Sequence, residues 1–313
     1  MPSLKHQLLA AHDATRLFTG WDFGGEIPIE RRDESGVLAF TLNRLARFYG
    51  QIAPFSNKTF AGLIQTEKMP RLNQDNKAVV LFCNIRSFSS VTRYLRPRQK
   101  LDLVNTFFQK AGLCVRLTGG HVDKYLGDKM IAHWGILNEG GLRENALAAI
   151  RAVLMARAYL GDWNQERIGA GLRPLLFSFG LDAGPASLSP FSVDGALEYS
   201  LTGPAVNNAC HCETATKRTR TETLLSENIY RLVERFVVSG GITHAPAKPR
   251  LFPLINVREK RLTRLLVQDL ARIAGVDLPF AMTLVGPRGP RTLSELRAAL
   301  HSPAGASLGS VVM

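Results

Sequence analysis

The sequence is poor in the features that mark secreted, membrane-spanning and metal-clustered proteins. Its four cysteines, Cys83, Cys114, Cys210 and Cys212, are scattered, and the local pattern puts three or all of them inside strands or helices, so no disulfide framework is expected. No stretch approaches about 18 consecutive apolar residues, and the amino terminus, MPSLKHQLLAAHD, has too short an apolar run for a secretory signal. Taken alone, these absences point to a soluble, cytoplasmic chain. Cys210-His211-Cys212 has no second Cys/His pair at matching spacing, so no structural metal is expected there. Acidic residues are scarce too, 26 against 39 Lys and Arg, which gives a formal charge of +13. A basic surface attracts polyanions without any dedicated motif. Here the charge is dispersed. Only Lys217 to Arg220 and Arg258 to Arg264 are dense, and neither interleaves with aromatics as a base-stacking surface does, so a solvated basic face is read and no specific nucleic-acid partner.

What the chain does have is core. At 313 residues and 45% hydrophobic content it can bury at least one full core, in what reads as two structural units. Ala78 to Ser89, AVVLFCNIRSFS, is apolar to Phe82, continues through Cys83 and breaks at Asn84, the pattern of a buried strand feeding a turn. Gly119 to Gly135, GGHVDKYLGDKMIAHWG, reads as a hairpin with arms Val122 to Leu126 and Met130 to Trp134 and Gly127-Asp128 at its tip. The two strand ends should present Asn84 and Asp128 to one crevice. Between them, from Pro97 onward, Leu101, Val104, Phe108, Ala111 and Val115 trace one helix face, which Gly119-Gly120 stops. A second helix, about Glu144 to Gly161, offers Leu147, Ile150, Val153 and Leu154. Leu175 to Leu181 and Glu198 to Leu201 read as strands and Ala205 to Thr216 as a helix. A short strand near Leu224, a helix capped by Ser226 and a last strand near Arg250 to Val257 follow. Such an order predicts an α+β fold, a mixed, largely antiparallel sheet with helices on one side.

Ahead of this, Leu4, Leu8, Ala11, Thr15 and Phe18 repeat at alternating spacings of four and three, as do Leu38, Leu42, Leu45, Tyr49 and Ile52 after an acidic start at Asp33-Glu34. Two such seams joined by the extended Ile27-Pro28-Ile29 need a second chain to bury them. Pro2, Gly20-Trp21-Asp22-Phe23 and Asp33 to Asn43 together resemble a HAMP domain, a helical coiled-coil module. That resemblance implies a preceding transmembrane helix and a membrane-sensor partner, so the chain reads as a shortened or split form of a longer receptor. The expected domains are residues 1–52, HAMP-like, then a connector 53–76, a second domain 77–258, and an extension 259–313 with a small-residue tail expected to be disordered.

The second domain resembles the class III nucleotidyl cyclases, adenylate and guanylate cyclases marked by F-x-D-I-x-x-F-[ST] and D-K-x-[IL]-G-D. These appear as Phe82-Cys83-Asn84-Ile85-Arg86-Ser87-Phe88-Ser89 and Asp123-Lys124-Tyr125-Leu126-Gly127-Asp128. A third motif, Y-[ST]-x-x-G-[DT]-x-V-N-x-A-x-R, runs from Tyr199 to His211. The resemblance implies a ferredoxin-like βαββαβ core and conversion of ATP to 3′,5′-cyclic AMP and pyrophosphate. It also implies Mg2+ or Mn2+ as a two-metal cofactor and a site shared between the subunits of a dimer.

Carried over position by position, the metal positions are Asn84, Asp128 and the Ile85 carbonyl. The nucleotide-binding positions are Lys124, Pro204, Phe88 and Ser89, and the catalytic ones Asn207 and His211. Three of these depart from the family. Asn84 replaces a metal aspartate, Pro204 has no polar atom to read a base, and His211 lacks the guanidinium fork that fits phosphate oxygens. A family lysine falls near His244 to Ala247 and is lost as well. The expected function is an adenylate-cyclase-like signalling protein with severely impaired turnover, or a pseudo-cyclase that regulates a partner or binds nucleotide without converting it. Its partners would be a nucleoside triphosphate and a second chain, in a homodimer or a heterodimer with another cyclase.

Overall fold

The structure, a computed structural model, describes residues 9, 12, 13, 23, 25–29, 33–52, 76–137, 140–193, 196–241, 250–258, and seven positions between 265 and 273. The first heptad seam from Leu4 to Phe18, the connector 53–75, His244 to Ala247 and the tail beyond 273 lie outside these residues. The chain divides into two compact units, Met1–Arg71 and Leu72–Met313.

In the first unit one helix, α1 (Glu34–Ile52), starts where the Asp33 carboxylate accepts hydrogen bonds from the amides of Ser35 at 3.1 Å and Gly36 at 3.3 Å. Its buried face is small: Gly36, Ala39, Asn43 and Ala46. Asn43 fixes the extended segment beside the helix, its amide donating to the Ile27 carbonyl and its oxygen accepting from the Ile27 N–H, both at 2.9 Å. Leu38, Leu45 and Tyr49 of the expected seam are exposed in the single chain. Small residues let the connector lie close to the helix, and the bulky positions are left facing outward.

The second unit is built on a sheet of order β2-β3-β1-β4-β6-β8-β7, with β5 pairing β4 off that path. Its strands are β1 (Asn76–Ile85), β2 (His121–Leu126), β3 (Lys129–Trp134), β4 (Phe177–Val193), β5 (Ala196–Thr202), β6 (Thr223–Ser226), β7 (Val237–Ser239) and β8 (Leu251–Val257). Its helices are the four-residue α2 (Phe88–Val91), α3 (Pro97–Leu117), α4 (Leu142–Gly169), α5 (Pro204–Thr219) and α6 (Glu227–Val233). Only β4 and β6 pair in parallel; every other described pairing is antiparallel.

Strand β1 is buried on both faces, which explains its unbroken apolar run. Val79, Leu81, Cys83 and Ile85 face the larger core with α3, α4 and α6, while Ala78, Val80 and Phe82 face Ala205 and Ala209 of α5. Helices therefore cover both faces, not one as the sequence pattern suggested.

Three other expectations shift. The buried stripe of α3 includes Leu103, Phe107, Ala111, Cys114 and Val115, with Leu101 exposed and Phe108 half-buried at the core's edge against Tyr125 at 4.4 Å. Helix α4 runs eight residues past Gly161, its end held by Asn164 bonding both backbone groups of Leu175. Strand β4 is 17 residues long, running on well past Leu181, and its partner changes: Ala186 still pairs with β1, and Ser187 to Val193 pair with β5 as a ribbon. Pro185 and Pro190 masked that extension in the sequence.

Candidate active site at the ends of β1 and β3

The register of the central strands sets one row of side chains across the sheet. Asn84 of β1 stands directly opposite Lys129 of β3 on one side and Ser178 of β4 on the other. Directly paired residues share a face of the sheet. All three reach a single buried carboxylate on α5, Glu213, which is 1% exposed. It accepts from Lys129 Nζ at 3.0 Å, Ser178 Oγ at 2.9 Å and, more weakly, Asn84 Nδ2 at 3.4 Å. Gly180 lets the carboxylate come so close, since a Cβ there would collide with the backbone of Glu213 and Ala209. Burial works against the Lys129 charge. The hydrogen bond and attraction of Glu213, with Cys210 and Asp128 behind them, override it and hold the ammonium above the ordinary lysine range.

The strand ends do meet, as expected. Ile85 N–H donates to the Asp128 carbonyl at 3.4 Å, and Asp128 sits half-buried in the hairpin turn beside Lys129. Asn84 does not open to that crevice. Its side chain lies under α5 at 3% exposure, with the amide nitrogen spent on Glu213 and Oδ1 buried without a partner among the described residues. The next turn carries Ser87 at φ 52°, then Phe88, half-buried, and Ser89, exposed, on α2.

Lys124 lies elsewhere on the same hairpin, at a bulge that shifts the β2–β3 register between Val122 and Lys124. It is tied to the ribbon: Nζ donates to Ser200 Oγ at 2.7 Å and is 3.6 Å from Glu198. Its neighbour Asp123, with a side chain 3% exposed, is pushed up to about 6 by burial, against the pull of Lys124 and a Leu201 backbone hydrogen bond.

The third motif forms the start of α5. Gly203, at φ 125° and against the Pro185 carbonyl, permits the turn into Pro204 at the first helical position. Pro204 and Asn207 are exposed, and His211 follows half-buried one turn on, its Nε2 without a partner among the described residues. Asn208 points the other way, donating to the buried Asp182 at 3.0 Å, so the helix is locked to β4. Cys210 and Cys212 are free thiols, and no group of three His, Cys, Asp or Glu that could hold a metal occurs among the described residues.

Sequence reasoning missed Glu213, Lys129 and Ser178. Glu213 was signalled: it continues the Ala205, Ala209 stripe at spacings of four, and a carboxylate on a small-residue, core-facing stripe requires partners.

The donor set does not fit two divalent ions. It offers one half-buried carboxylate, Asp128, and one neutral buried oxygen, Asn84 Oδ1, while the other nearby carboxylate, Glu213, is already neutralised by an ammonium. Hard cations require several accessible, mostly anionic oxygens.

No protein-family model matches the chain. Over 215 residues it is 22% identical to an adenylate cyclase of Anabaena cylindrica, covering 66% of this chain and 41% of that protein. Over 174 residues it is 22% identical to adenylate cyclase 1 of Rhizobium meliloti (strain 1021), covering 56% of this chain and 26% of that protein. The chain thus spans less than half the length of these curated relatives. Among solved structures, a bacterial light-regulated adenylyl cyclase superposes with a TM-score of 0.63 at 19% identity, covering 77% of this chain and 71% of that one. The adenylyl cyclase CyaB from P. aeruginosa gives 0.54 at 24% identity, covering 59% and 97%. The guanylyl cyclase Cya2 gives 0.54 at 21%, covering 61% and 97%. The second unit has the mixed α+β fold of class III cyclase catalytic domains, and the chain is similar to these cyclases in sequence.

Proposed function

We propose that this chain is a cyclase-type signalling module whose own conversion of a nucleoside triphosphate to a cyclic nucleotide is severely impaired. The observation that carries this reading is the state of Asn84. In place of an accessible carboxylate, its amide is buried and engaged with Glu213. Cyclisation drives the ribose 3′-hydroxyl onto the α-phosphorus while pyrophosphate leaves, and charge builds on oxygen at both ends. Metal ions, when bound, supply the counter-charge. Here the residues that remain at family positions are Asp128 on the metal half and Lys124 and Asn207 on the base half. Lys124 is held at the ribbon by Ser200 and Glu198, and Asn207 is open on α5. Pro204 offers a base no hydrogen bond, and His211 offers no bidentate fork.

Each lost electrostatic contact costs about 3 kcal/mol, roughly two powers of ten in rate, and such losses combine non-additively. Starting from a typical rate of about 10 per second, turnover below about 0.01 per second is expected. The purified chain assayed with manganese and ATP, and separately GTP, for cyclic nucleotide tests this; a faster rate overturns it.

A regulatory role follows from damage on both halves of a shared site. The chain would dimerise, with itself or with another cyclase chain, and modulate the partner or bind nucleotide without converting it. The exposed Leu38, Leu45, Phe48 and Tyr49 of α1 favour pairing through a HAMP-like first unit, with residues 77–258 as the cyclase-like domain and a membrane sensor as the input. No helix among the described residues is long and apolar enough to cross a membrane.

A further inference from the structure

We propose that Lys129 is a built-in counter-cation that excludes divalent metal from the strand-end site, and that the substitution at Asn84 alone does not account for the loss. This deepens the impaired-turnover reading, on which it rests for the identity of the site. Three observations carry it. Lys129 and Asn84 are direct partners across β1 and β3, so their side chains occupy the same face within contact range. The Lys129 ammonium is fixed rather than free, 3.0 Å from the buried Glu213, and is therefore a standing positive charge beside Asp128. The Asn84 amide completes the same arrangement, donating to the other oxygen of Glu213.

The charge of Glu213 is thus already matched from within. Glu213 is matched by Lys129, leaving Asp128 as the one uncompensated carboxylate among the residues assigned to the metal. A divalent ion held by Asp128 would have to sit within the field of a fixed ammonium in partly desolvated protein. The consequence for repair is specific. An aspartate restored at position 84 would face Lys129 directly and pair with it, so the new carboxylate would be consumed before it could take a metal. Restoring a metal site requires two changes, one on each strand.

Manganese binding tests this without nucleotide or turnover. The full chain is titrated with Mn2+, bound and free ion being separated by electron paramagnetic resonance, for wild type, Asn84→Asp, Asn84→Asp/Lys129→Met and Asn84→Asp/Lys129→Arg. Wild type, the single variant and the arginine double are expected to bind weakly and alike. The methionine double should bind at least about tenfold more tightly. Thermal unfolding checks that each variant is folded, and Asn84→Asp/Lys129→Ala stands in if the methionine double is not. The inference is overturned if Asn84→Asp alone binds as tightly as the methionine double, if wild type binds at micromolar concentrations, or if neither folded double gains affinity. A wild type that binds no manganese yet turns over ATP quickly would sink the impaired-turnover reading and leave this one standing.

Discussion

Among the described histidines, His133 is the one whose protonation the fold tolerates least. It is buried within β3, stacked on His121 of β2 at 5.8 Å, and its Nδ1 has no partner among the described residues. Burial, with repulsion from His121 added, lowers its pKa to about 3. A histidine depressed in the folded state leaves stability intact above its unfolded value near 6.5 and removes it as pH falls towards 3. Between pH 7 and 5 the loss is about 2 kcal/mol. Asp123 works in the opposite sense. Its folded value near 6 lies above the unfolded one, so its burial costs stability as pH rises from about 4 through 6 and costs least in acid. Urea unfolding of wild type and His133→Gln at pH 7 and pH 5 separates the two. The variant should lose less stability on acidification, by about 2 kcal/mol, and an equal loss in both proteins would refute the assignment. At this scale the sequence was legible where a motif named a position and illegible where a partner came from far along the chain. Lys124 and Asp128 could be picked from the hairpin, but that Asn84 would be turned inward depends on Glu213, 129 residues away.

Gly180 decides how closely α5 rides on the sheet. A methyl group there would run into the helix backbone at Glu213 and Ala209, and backbone cannot swing aside as a side chain can. Gly180→Ala should therefore destabilise the second unit by about 3 kcal/mol, at the upper end of what overpacking costs, read as a fall in melting temperature. It should also lift Glu213 from its row. An unchanged melting temperature would show that α5 is not pressed on the strand. Elements with one clear period were readable beforehand. The hairpin, the α5 segment and the Ser226 cap, whose hydroxyl accepts from the Ile229 amide, fall where apolar spacing and cap chemistry place them. Long β4 was not readable, because prolines at 185 and 190 look like strand ends until β5 is known to lie alongside. Likewise the α3 stripe was right at Ala111 and Val115 but displaced in the first turns, where Leu103 and Phe107 are the buried residues. Leu103 and Phe107 are as apolar as Val104 and Phe108, and periodicity alone cannot choose between adjacent faces.

For the molecule as a whole, α1 sets the expectation. Val37, Leu38, Phe40, Leu45, Phe48 and Tyr49 are all exposed on one 19-residue helix, more apolar surface than an isolated unit ordinarily shows to water. The chain should self-associate through it. Sedimentation of wild type should give a dimer at micromolar concentration, and Leu38→Glu/Leu45→Glu should shift it towards monomer by at least about tenfold in dissociation constant. A wild type that sediments as a monomer would rule this out. One feature of the second unit bears on how such an assembly could communicate. Strand β4 passes from β1 to β5 between Ala186 and Ser187 without a break, its near end carrying Ser178 and its far end the ribbon that grips Lys124. A continuous strand is stiff along its length. A tug delivered to the ribbon by a neighbouring chain would be transmitted, like tension along a tie-rod, to the row of side chains beneath Glu213.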